Sequence, residues 1–185
     1  MSVVPLLDMP PSPAPLAPSA GVLSVGDHAP DVELRLGPHR GSLHRWADDA
    51  WVVVFALHDG DALERAAELR RLAALLPDFR ARCVKLLGIA SPAALDPDDN
   101  APSIPVSFDH DGETARRYGL TAAARNVAVI DPAHRLRLLL GYPPRRPRDF
   151  ADVLRLITAL QQADARGRAG RSDWRAVQAA TFGAW

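Results

Sequence analysis

Cysteine occurs once in the 185 residues, as Cys83. One thiol excludes an internal disulfide and any mechanism that needs two thiols in one chain, and it fits a cytoplasmic setting. Lysine also occurs once, as Lys85, against 21 arginines, a bias that reads as GC-rich coding rather than as function. Net charge is absent, with 22 basic residues facing 22 acidic ones. That balance gives no argument for nucleic acid or an anionic membrane as a partner. No apolar run approaches the ~18–20 residues of a membrane span. No basic leader precedes an apolar stretch at the N-terminus, so secretion is not expected.

What is present is enough apolar matter, 48% of the chain, for one domain with a full core and too little length for two. Residues 1–21 hold six of the 17 prolines. Proline fixes φ and removes donors, so this stretch reads as an extended, poorly ordered arm, or alternatively as a partner-binding one. The domain is placed at 22–163 and a polar C-terminal extension at 164–185. The chain is organised around Trp51–Leu69. Trp51–Phe55 is a valine-rich apolar run with strand composition. The break Leu57-His58-Asp59-Gly60-Asp61 follows. From Ala62 to about Arg82 the spacing of Leu63, Ala66, Ala67, Leu69, Leu72, Ala73 and Leu76 predicts a helix, with Pro77 as a kink or break.

Further strands are expected at Asp31–Leu34, Val84–Ala90, Val106–Phe108, Asn126–Ile130 and Leu136–Leu140. Turns are expected at Gly37–Gly41 and at Asp109–Gly112, and short helices at Ser42–Trp46 and Glu113–Tyr118. A last helix is expected at Phe150–Ala163, burying Phe150, Val153, Leu154, Ile157 and Leu160. Strand, helix, strand from Trp51 to Ala90 predicts a parallel pair, and the short link between the last two strands predicts an antiparallel hairpin. The element order is that of an α/β thioredoxin-like fold, a central mixed sheet flanked by helices.

Several segments then resemble the peroxiredoxin (AhpC/TSA) family, most of all its one-cysteine, peroxiredoxin-6-like branch. Val25-Gly26-Asp27-His28-Ala29-Pro30-Asp31 resembles the family's opening GDxAPxF. Ala67-Glu68-Leu69 through Pro77-Asp78-Phe79 resembles its TEL…PEF helix, and Cys83-Val84-Lys85-Leu86-Leu87 its NVKLI strand. Arg125-Asn126-Val127 through Leu138 is similar to its RVVFVF…KLKL hairpin. Tyr142-Pro143 through Arg148-Asp149-Phe150 resembles YPATTGRNF, and Ser172-Asp173-Trp174 resembles PVDW. The resemblance covers roughly residues 22–175 and implies a homodimer.

The active turn of that family, PxxxTxxC, is not kept. In a gapless register the cysteine position is Arg65, the threonine position Ala62 and the proline position His58; the family's arginine is matched by Arg125. A peroxidase of this type needs a thiolate, and a guanidinium that stays protonated cannot replace it. Arg65 beside Arg125 would be a like-charge pair unless an anion or carboxylate lies between them; Asp59, Asp61 and Glu64 are near in sequence.

The candidate catalytic residues are therefore His58, Asp61, Arg65 and Arg125. Asp61 also reads as a helix N-cap. His58, Asp59 and Asp61 are spaced too loosely to specify a metal, and no metal or cofactor is expected. Asp109-His110-Asp111-Gly112 resembles part of a calcium loop but reads as a structural turn. Cys83 reads as a small buried hydrophobe. Three functions stay open: a repurposed enzyme acting on a small molecule in the emptied pocket by acid/base or electrostatic catalysis, with specialised biosynthesis as a natural setting; a non-catalytic dimeric binding or scaffold protein; and a residual redox protein using Cys83.

Overall fold

A computed structural model describes residues 23–57, 61–91, 104–120, 125–143 and 146–182, with side chains through residue 168. The Pro-rich arm, His58 and most of the 91–105 loop lie outside the described residues.

The first pair of strands, β1 (Glu33–Leu36) and β2 (His39–Ser42), forms an antiparallel hairpin with Leu36 opposite His39. The turn expected over 37–41 is thus shorter than its composition suggests. The reversal is completed by Gly37 and Pro38, because Gly37 adopts φ +59 without steric cost. Ser42 then caps α1 (Leu43–Ala47) by accepting from the Arg45 amide. The lone lysine closes the other end of α1: Lys85 Nζ donates to Trp46 O at 2.7 Å and Ala47 O at 3.1 Å.

The valine run is β3 (Trp51–Ala56), buried at all six positions. It lies between β4 (Val84–Ala90), parallel, and β6 (Val127–Ile130), antiparallel. A strand covered on both faces has no reason to alternate polar and apolar residues. Trp51, Val53 and Phe55 enter one core, under α2 (Ala62–Ala81) and α4 (Phe150–Phe182). Val52, Val54 and Ala56 enter the other, with Leu34, Leu43, Tyr118 and Leu120. The short strand β5 (Val106–Phe108) and β7 (Leu136–Leu140) complete a five-stranded mixed sheet of order β5-β4-β3-β6-β7. This is the expected thioredoxin-like α/β architecture, with the predicted parallel unit and hairpin in place.

Helix α3 (Glu113–Arg117) follows a turn in which Asp109 accepts from the amides of Thr114 and Ala115, and Asp111 from that of Glu113. These carboxylates serve the helix start, which is the structural-turn reading. Helix α4 buries Phe150, Val153, Leu154 and Ile157 as expected, but runs well past Ala163 to Phe182. The polar, alanine- and arginine-bearing stretch expected as a tail has enough helix propensity to continue the helix. Among the described residues no helix is long and apolar enough to cross a membrane.

Candidate functional site at the start of α2

Helix α2 carries an unusual buried face. Leu63, expected on the apolar side, is 78% exposed, while Arg65 and Glu68 are buried with Leu72 and Phe79. Positions 65, 68, 72 and 79 fall on one helical stripe, so the helix presents charge to the interior at its first turns and apolar side chains later. Asp61 caps the helix, its Oδ1 accepting from the Leu63 amide at 2.7 Å; the residue itself is exposed. Pro77 lies inside the helix without ending it.

Glu68 is the centre of the buried charge. Arg148 donates to it through Nε at 2.9 Å and Nη2 at 3.0 Å, a two-point pairing, and through its backbone amide at 3.2 Å. Arg148 Nη1 donates to Ala56 O at the end of β3 at 2.7 Å. Its guanidinium lies 5.0 Å from the Phe55 ring centroid and 5.8 Å from that of Phe150. Burial pushes the Glu68 carboxyl upward, but the hydrogen bonds and charge of Arg148, with the charge of Arg125, outweigh it and hold the group below the ordinary glutamate value.

Arg125 approaches the same carboxylate less closely, with Nη2 3.9 Å from Glu68 Oε2. Nη1 donates to Arg146 O at 3.1 Å. Its Nε is buried and finds no acceptor among the described residues. The residue is only 8% exposed and holds φ +36, a conformation that costs an L-residue energy. Arg65, also buried, precedes Glu68 by one turn on the same face of α2. On the Arg148 side opens a cavity of about 640 Å³, lined by Leu72, Leu75, Tyr142, Arg146, Arg148 and Phe150 among others; Arg65, Glu68 and Arg125 do not line it.

The structure thus brings Arg65 and Arg125 into one region and keeps Asp61 at its rim as a cap; His58 lies outside the described residues. Of the carboxylates expected to neutralise the arginines, Asp61 and Glu64 are exposed; Glu68 has that role for Arg148 and Arg125. Glu68 and Arg148 are not among the candidate residues of the sequence, although the spacing of Arg65 and Glu68 places them one turn apart. Cys83 departs from expectation. It is exposed, sits at φ +54 in the turn between α2 and β4, and lies beyond the far end of a 20-residue helix, roughly 20–25 Å along the helix from Glu68.

The AhpC/TSA family model matches residues 25–139. The chain belongs to the AhpC/TSA family. Within it, the chain is 28% identical over 179 residues to a probable 1-Cys peroxiredoxin of Syntrichia ruralis, covering 83% of this chain and 81% of that protein. It is 27% identical over 181 residues to peroxiredoxin-6 of Homo sapiens, covering 84% and 80%. Among solved structures, a yeast mitochondrial 1-Cys peroxiredoxin superposes with a TM-score of 0.67 at 25% identity, over 79% of this chain and 80% of that one. A cysteine-to-serine mutant of peroxiredoxin 6 from Arenicola marina gives 0.64 at 25% identity, over 75% and 74%. This AhpC/TSA member has its one cysteine at position 83, and an arginine is buried in the first turns of α2.

Proposed function

We propose that this AhpC/TSA protein is not a thiol peroxidase and that the corner at the start of α2 takes an anionic small molecule. The observation that carries this reading is Arg125. Its Nε is buried without an acceptor among the described residues, and the nearest carboxylate, Glu68, already receives three hydrogen bonds from Arg148. A buried guanidinium is costly when its donors are not met, and a carboxylate or other oxyanion meets them in the geometry arginine favours. In a repurposed enzyme, Arg65 and Arg125 supply positive charge to a developing oxyanion, His58 transfers the proton, and Asp61 holds the helix start. No redox cofactor is required by this scheme.

A thermal-shift screen of small carboxylates, phosphate esters and sulfonates tests it. A bound anion raises the melting temperature saturably, and Arg125→Met weakens it by about tenfold or more, the usual worth of a hydrogen bond to a charge. Bound ligands whose contacts avoid both Arg65 and Arg125 overturn the reading.

One observation favours the second reading, a dimeric binding or scaffold protein. Strand β7 is an outer strand of the sheet, and Leu138, Leu139 and Leu140 on it are only partly buried. An apolar edge of this kind recruits a second strand, here that of another copy, in a homodimer. The remoteness of Cys83 disfavours the redox reading. A cytoplasmic setting is proposed on the lone exposed thiol.

A further inference from the structure

Three histidines outside the candidate site meet at one place. His28 comes from the N-terminal segment, His44 from α1 and His134 from the turn between β6 and β7. The rings of His44 and His134 stack at 4.0 Å and 11°. His28 meets both edgewise, at 5.3 Å from His44 and 6.0 Å from His134. Two of the ring nitrogens face the same carbonyl: His44 Nε2 lies 2.9 Å and His28 Nδ1 3.2 Å from Ala29 O. A carbonyl only accepts, so both nitrogens carry hydrogen, and further protonation of either ring must occur at its other nitrogen. His134 Nε2 is buried without a partner among the described residues.

The cluster lies where the N-terminal segment is tied to the hairpin. Gly26 N donates to Leu136 O, Leu136 N to Asp27 O, and Ala29 N to His134 O. Arg135 Nη1 adds a bond to Gly26 O, and His28 bridges Arg135. Beneath these bonds, Leu23, Ala29, Val32 and Leu34 close the second core.

The charged groups facing the rings are few and mostly committed. Asp31 Oδ1 accepts from the His44 amide. Asp131 accepts from the amides of Ala133 and Arg135 and from Arg137. Asp27 accepts from the Ser24 amide, and Arg135 adds positive charge. Asp31 faces both stacked rings, and Asp131 adds charge at His134 alone while it already holds Arg137, so two stacked imidazoliums would share little uncommitted negative charge.

We propose that His28, His44 and His134 form an acid-sensitive latch that holds the N-terminal segment on the β6–β7 hairpin while the rings are neutral and releases it when more than one ring is protonated. Burial and the two neighbouring rings push His134 below the ordinary histidine value, against the pull of Asp31 and Asp131. A lowered folded value means that the latch contribution is complete above the ordinary pKa of about 6.5 and is lost as pH falls through the lowered one. A stacked imidazole cluster of this kind is a means of sensing mild acid.

The test is hydrogen exchange with mass spectrometry on the full chain, with intrinsic rates corrected for pH. Between about pH 7.5 and 5.5, peptides spanning 23–36 lose protection by on the order of tenfold, while β3 and β4 keep theirs. His134→Asn, chosen because asparagine tolerates the φ of +57 at this position, removes most of that pH dependence. Should that variant be too unstable to read, His44→Gln gives the same flattening. Equal protection of 23–36 at both pH values, or an undiminished loss in either folded variant, overturns the proposal.

Discussion

Glu68 is a single buried carboxylate between two buried guanidiniums. Removing one partner of such a group leaves uncompensated charge in the interior. Glu68→Ala is therefore expected to cost about 3–5 kcal/mol in chemical denaturation, far more than loss of an exposed ion pair. Because the folded value of Glu68 is lowered, its contribution is complete above the ordinary glutamate range and is lost as pH falls through the lowered value. The acid limb of the stability curve is thus expected to be shallower in Glu68→Gln, measured by melting temperature against pH. At the other end of α2, Cys83 adopts a left-handed conformation that disfavours its side chain. Asparagine, which the resembling family segment has here, tolerates that conformation; Cys83→Asn is expected to stabilise by about 1 kcal/mol in the same assay.

Helix α2 shows which parts of the site were legible in sequence. Its existence and its start were readable, because Asp61 precedes a helical run and caps it. Asp61→Ala is expected to cost about 0.5–2 kcal/mol, read by thermal melting. Its buried face was not readable from apolar spacing. Leu63 continues the leucine pattern yet faces solvent, whereas Arg65 and Glu68 face inward. Hydrophobic periodicity cannot anticipate this, since the partner that makes Glu68 tolerable, Arg148, is brought in by the distant loop before α4. The central-sheet strands were the most legible elements, because runs such as Trp51–Phe55 are buried on both faces and carry no competing polar signal, whereas the exposed β2 falls where a turn is expected. Helix α4 was underestimated past Ala163, since its later turns lack the apolar stripe that marked its first ones.

At the scale of the molecule, the AhpC/TSA fold is retained while the one cysteine stands at position 83 and a fixed cation, Arg65, is buried in the first turns of α2. The sheet, the parallel unit and the hairpin position the start of α2 beside β3 and the 146–148 loop whatever residue stands at 65. If the β7 edge pairs two copies, Leu139→Lys is expected to shift the chain from dimer to monomer in analytical ultracentrifugation. The proposed function leaves this site without thiol chemistry. Hydroperoxide consumption by the wild-type chain, with a thiol reductant supplied and the Cys83→Ser chain as control, tests it most directly. Equal, background rates are expected for both chains; turnover by the wild type that disappears in Cys83→Ser would mean that the chain is a thiol peroxidase after all.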